Sequence, residues 1–212
     1  MSQPAPSTAA TRPQPQEGSL WRVLAVVLVA TTAGGLILAG FLIAPRFIGK
    51  PVQVTDRDRA MLIVAGDFQR WSPQLIVHND REQITKTRYD DEAVELVYHY
   101  DALSKEPSGY VHCEVVVAKD AEAAETQYDA RFAAMPIFDR VDRVALNEQF
   151  AWGEQSQYGE LQRDKNLCGR YFYCRKGNRV YSLVVCGLNT QFAAEFSELL
   201  AGPLDRLADY EP

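Results

Sequence analysis

The sequence predicts an α+β protein: an N-terminal transmembrane helix, then one domain whose antiparallel sheet is packed by helices. Three observations predict it. Val23 to Ala44 is an uncharged apolar run of 22 residues. Beyond it lie segments in which large apolar residues alternate with polar ones, the period of a strand with one buried face. Segments of helical period follow the strands, one after Asp120 and one after Asn189.

Residues 1–19 carry Pro4, Pro6, Pro13 and Pro15 among Ser, Thr, Gln and Ala. They hold too little apolar surface to order themselves and read as a disordered proline-rich tail. Residues 20–48 read as an uncleaved signal anchor in the lipid bilayer. At 1.5 Å per residue the apolar run spans about 33 Å, against a hydrocarbon core of about 30 Å. Trp21 and Phe47 stand at its ends, and Arg22, Arg46 and Lys50 bracket it. A cleaved signal peptide would have a shorter apolar region. Leu38-Ala39-Gly40 is followed by Phe41 rather than the Cys a lipoprotein needs. Thr31, Gly35 and Ala39 form a small-residue stripe suited to self-association of the helix.

Residues 51–212 read as the soluble domain. Thr55 caps a short helix whose apolar side is Met61, Leu62 and Ala65 and which ends near Gly66. Val94, Leu96, Tyr98 and Tyr100 line one face of a strand, with Glu95, His99 and Asp101 on the other. Its partner points Val111, Cys113, Val115 and Val117 inward and His112 and Glu114 outward. Asp120 caps a helix with Ala121, Ala124, Tyr128, Phe132 and Met135 on its apolar face. A strand near Ser156–Leu161 follows, turning at Asp164-Lys165-Asn166. Leu167–Arg175 and Arg179–Leu188 make a hairpin through Lys176-Gly177-Asn178. Asn189 or Thr190 caps the last helix, with Phe192, Phe196, Leu199, Leu200 and Leu207 as its buried stripe. Val111–Val116 aligns with Val180–Val185 at an offset of 69, which also brings Asp120 onto Asn189. The pattern reads as a strand-strand-strand-helix unit occurring twice.

The layout of residues 55–210 resembles the α/β sandwich of the PsbP-like fold and the extracytoplasmic domains of bacterial single-pass membrane proteins. The resemblance is one of layout, so it implies a fold and a location and carries over no functional residue.

Charge and motifs narrow the function. The chain has a net charge of −6, while residues 1–50 hold Arg12, Arg22, Arg46 and Lys50 against Glu17 alone, so the excess of acid lies in the domain. An acidic domain repels a phosphate backbone, so no nucleic-acid partner is expected. No HExxH, GxSxG, GxGxxG or phosphate-loop pattern occurs, and neither catalysis nor a cofactor is expected. Cys113, Cys168, Cys174 and Cys186 all lie beyond the anchor. With a three-residue turn at 176–178, Cys168 faces Cys186, leaving Cys113 and Cys174 as a second pair, although four cysteines allow three pairings. If Asp101 pairs with Tyr110, then His99 pairs with His112, and two imidazoles beside carboxylates are candidate metal ligands.

Orientation is read from opposing signals. Arg46, Lys50, Arg57 and Arg59 after the span outnumber Arg12 and Arg22 before it, which favours a cytoplasmic domain. Asp56 and Asp58 interrupt that run, long domains translocate regardless of charge, and the cysteines favour an oxidising compartment. The N-terminus is therefore expected in the cytoplasm and residues 51–212 outside. The expected function is a non-catalytic, membrane-anchored domain that binds a membrane or envelope protein or serves as an accessory subunit. The alternative is a sensor of a small ligand or of a metal held by His99 and His112.

Overall fold

The computed structural model describes residues 49–71, 73, 75–102, 109–135, 141–188 and 193–212. The tail, the expected span at Val23–Ala44, and the expected caps Asn189 and Thr190 lie outside them. Among the described residues no helix is long and apolar enough to cross a membrane.

Eight strands form one sheet: β1 (Lys50–Pro51), β2 (Glu82–Arg88), β3 (Val94–Asp101), β4 (Tyr110–Val117), β5 (Asp142–Ala145), β6 (Gln155–Arg163), β7 (Asn166–Lys176) and β8 (Arg179–Cys186). Their spatial order is β1-β2-β3-β4-β8-β7-β6-β5, and every neighbouring pair is antiparallel. The sheet is thus two four-stranded meanders joined at β4 and β8. The helices are α1 (Asp56–Arg59), α2 (Ala121–Ala133) and α3 (Ala193–Leu207), with 3-10 turns at Ala65–Arg70 and Asn79–Arg81.

The strands end where the backbone chemistry demands. Asp164 and Lys165 both have positive φ, 52° and 66°, in the two-residue turn between β6 and β7. Two positive φ values in succession match the right-handed twist of the flanking strands. Gly177 opens the β7–β8 turn at φ 57°. That turn holds two residues, Gly177 and Asn178, because Lys176 pairs with Arg179. The three-residue turn read from the sequence is corrected accordingly, and every pairing across this hairpin moves by one residue.

The alternating side chains build two cores. Leu96, Tyr98 and Tyr100 of β3, Val111, Cys113 and Val115 of β4, and Tyr181, Leu183 and Val185 of β8 share one face. That face is covered by the segment from Met61 to Phe68 and by Phe196, Leu200, Leu204 and Leu207 of α3. On the other face α2 packs across β7 and β8, setting Ala124 and Tyr128 against Tyr171, Tyr173, Val180 and Val184.

Three further expectations are corrected. The helix after Thr55 is a single turn: the capping box closes, with Asp58 N donating to Thr55 Oγ1 at 3.2 Å and Thr55 N to Asp58 Oδ2 at 2.7 Å. Met61–Ile63 then leave helical geometry to enter the core. Second, each repeating unit has four strands, because β1, β2 and β5 join the meanders. Third, the two helices lie on opposite faces. The β4–β8 register pairs Val111 with Val185, so its sequence match Val180, five residues along the same strand, points to the other face. A one-residue step inverts every side chain of a strand. The halves share a topology and bury opposite sides.

Candidate functional site

Helix α2 begins at Asp120, whose carboxylate accepts from Ala123 N at 2.8 Å. It carries Arg131 over the sheet, where the guanidinium lies between two glutamates. Nε donates to Glu114 Oε1 at 2.7 Å and Nη2 to Glu95 Oε1 at 2.5 Å, while Nη1 donates to Gln127. Tyr89 Oη donates to Glu95 Oε2 at 2.7 Å. Glu114 Oε2 has Ser182 Oγ at 3.5 Å and His112 Nε2 at 3.8 Å.

This neighbourhood separates the two acids. Burial, together with the hydrogen bond shared with Glu114, raises the Glu95 carboxyl. Burial would raise Glu114 as well, but His112 and the Arg131 charge hold it well below the usual carboxylate range. The two carboxyls are thus shifted in opposite directions, and one guanidinium bridges them. Sequence alternation placed Glu114 outward towards solvent; α2 covers it, leaving it 8% exposed.

The expected candidates His99 and His112 are brought together in the register read from the sequence. Their rings meet edge-on, centroids 5.9 Å apart, and Tyr110 stands edge-on to His99 at 5.4 Å. Burial, then repulsion from His112, lowers the His99 pKa against the pull of Asp101. Among the described residues no three His, Cys, Asp or Glu side chains converge as a metal site.

On the other face, Asp58 and Lys86 form a buried pair, 1% and 8% exposed. Lys86 Nζ donates to both Asp58 oxygens at 3.0 Å, and Tyr210 Oη donates to Asp58 Oδ1. The C-terminal segment is held by further bonds: Arg57 to Asp209 O at 2.7 Å, Arg179 to Tyr210 O at 3.1 Å, and Arg206 to Ala60 O at 2.6 Å.

Beside that clasp lies a half-open groove of about 510 Å³, within the usual volume range of ligand sites. Leu62, Leu199 and Pro203 supply apolar wall, and Arg59, Asp67 and Arg206 supply charge. Pro203 sits inside α3 and has no N–H to give the Leu199 carbonyl. The sequence reading missed both this groove and the Glu95–Arg131–Glu114 bridge. A proline inside a helical stripe was the signal for the groove. Arg131 showed none, because a lone arginine on an amphipathic helix reads as solvated.

All four cysteines are free thiols. Ile63 N donates to Cys113 Sγ at 3.4 Å, and that thiol donates to Tyr181 Oη at 3.2 Å. Cys113 and Cys174 lie on β4 and β7 with β8 between them. Two inter-strand spacings are about 10 Å, beyond the Cα separation of about 7 Å that a disulfide tolerates, so that expected pairing is excluded. The residue directly opposite Cys186 is Gly169, not Cys168.

No protein-family model and no curated protein matches the chain. Among solved structures, the chain is similar to the extracellular domain of PknH from Mycobacterium tuberculosis, with 12% identity and a TM-score of 0.37 over 76% of this chain and 99% of that one. A PsbP-like layout is not shown, and at this level of likeness no ligand or activity is carried across.

Proposed function

We propose that the chain is a single-pass membrane protein whose residues 51–212 form a non-catalytic extracytoplasmic binding domain or accessory subunit. The uncharged run at Val23–Ala44 supports the anchor. The groove between the Arg59–Asp67 segment and α3 carries the binding role. It opens to solvent with apolar walls, whereas the two buried charge clusters close on themselves. Glu95, Glu114 and Arg131 satisfy each other, as do Asp58 and Lys86. Neither set presents a free acid or base to a substrate.

A photo-crosslinking amino acid at Leu199, in native membranes, is expected to capture a discrete species that the same probe at Glu125, exposed on α2, does not. Equal labelling at the two positions overturns the assignment of the groove. Turnover by the purified chain that a point substitution abolishes overturns the non-catalytic reading.

A further inference from the structure

We infer that Cys168 and Cys186 are a cross-strand dithiol that closes to a disulfide by exchange with an external disulfide. Strict alternation argues against the pair. Gly169 is the direct partner of Cys186, so its neighbour Cys168 should point to the opposite face. The β6–β7 ladder removes that obstacle. Leu161 pairs with Gly169 and Gln162 with Leu167, which leaves Cys168 as an extra residue on β7. Such a bulge re-aims the side chain it carries. Cys168 accordingly packs against the cluster that contains Cys186, Leu161, Tyr171 and Val184.

Gly169 supplies the room. A Cβ there would stand 2.8 Å from Cys186 Sγ and 2.1 Å from Val185 O. The Cys186 sulfur therefore lies over the Gly169 backbone, beside Cys168. Gly187 N donates to Cys168 O at 2.9 Å, fixing the two chain segments against each other. The Cys168 thiol donates to Leu161 O at 3.2 Å, a weak bond that its rotation towards Cys186 would release. Cys113 and Cys174 are on the other face and two strands apart.

The order of attack follows from exposure. Cys168 is half-buried, while Cys186 is 6% exposed. Burial pushes the Cys186 thiol up to about 12. Burial raises Cys168 too, with the Arg163 charge opposing it. The Cys168 thiolate attacks one sulfur of the external disulfide RSSR and forms a mixed disulfide, expelling RS⁻. The Cys186 thiolate then attacks the Cys168 sulfur and expels the second RS⁻. The two thiol protons end on the two RS⁻ groups. RSSR is thereby reduced to 2 RSH while the cysteine pair loses two electrons.

The test uses the reduced full-length chain in detergent, equilibrated in glutathione buffers of rising oxidised fraction, quenched with an alkylating agent and mapped by mass spectrometry. Cys168 and Cys186 are expected to leave the alkylated pool together, as one cross-linked peptide pair lacking two hydrogens, while Cys113 and Cys174 stay reduced. Cys186→Ser is expected to stop at glutathione on Cys168. Wild-type protein that stops at that mixed disulfide, that links either cysteine to Cys113 or Cys174, or that stays fully reduced overturns the inference.

Discussion

Lys86 stands in a strand whose sequence, Glu82 to Arg88, is polar at every position except Ile84. Its ammonium is buried because Asp58, Tyr210 and the Thr55 cap wait beneath it. That pairing joins positions 28 residues apart, so no local pattern announced it and β2 went unread. Burial alone would raise the Asp58 carboxyl, but the bonds from Tyr210, Thr55 and Lys86 outweigh it and hold it at about 2. Against an unfolded value near 3.9, the difference stabilises the folded chain by about 2 kcal/mol. A depressed acid contributes this above its unfolded pKa and loses it as pH falls through its folded pKa. The expected result is that urea stability of the wild type falls between about pH 4 and pH 2, and that Asp58→Asn flattens that limb. Lys86→Met leaves the carboxylate buried without its partner and is expected to cost about 3 kcal/mol near neutral pH. A Lys86→Met protein as stable as the wild type would show that Tyr210 and Thr55 suffice.

The elements with clean periods were the legible ones. The alternation of Val94, Leu96, Tyr98 and Tyr100 marked β3, and the sheet adopts the Asp101–Tyr110 pairing on which the meeting of His99 with His112 was conditional. The helical spacing of Ala124, Tyr128 and Phe132 marked α2. It could not say that Arg131 would reach two glutamates on separate strands. Turn lengths were legible only roughly. Counting Lys176 into the β7–β8 turn cost one residue, enough to move the partner of Cys186 from Cys168 to Gly169. The β6–β7 turn carries a correctable strain. Lys165 is exposed and sits at φ 66°, where a Cβ crowds the backbone. Lys165→Gly is expected to raise stability by about 1 kcal/mol, read as a higher urea midpoint with unchanged slope. A lower midpoint would mean that the freedom glycine gains in the unfolded chain outweighs the relief.

For the molecule as a whole, a repeated strand-rich unit was legible in the alternating segments, and the sheet is built of two meanders. It did not disclose that the helices take opposite faces, because an offset read along one strand carries no label for the side a residue faces. Orientation in the membrane is a second question of this scale. The proposed topology predicts that a reporter fused after Pro212 is active only when it functions in the extracytoplasmic compartment. Activity of a reporter that works only in cytoplasm would show that the basic residues Arg46, Lys50, Arg57 and Arg59 had decided the matter.

The join between the meanders has a kinetic meaning. Within the meanders, β2 to β4 and β5 to β8 follow one another through short connections, while β1 reaches β2 across residues 52–81. The β4–β8 ladder unites Tyr110 with Cys186 and Val117 with Arg179, positions far apart in sequence. Closing it carries a large loop-closure entropy, so it is expected to be the slow step of folding. Two chains caught before that step each offer an unpaired β4 and an unpaired β8. In concentrated protein the first meander of one chain can accept the second meander of another, giving an exchanged dimer with the same contacts.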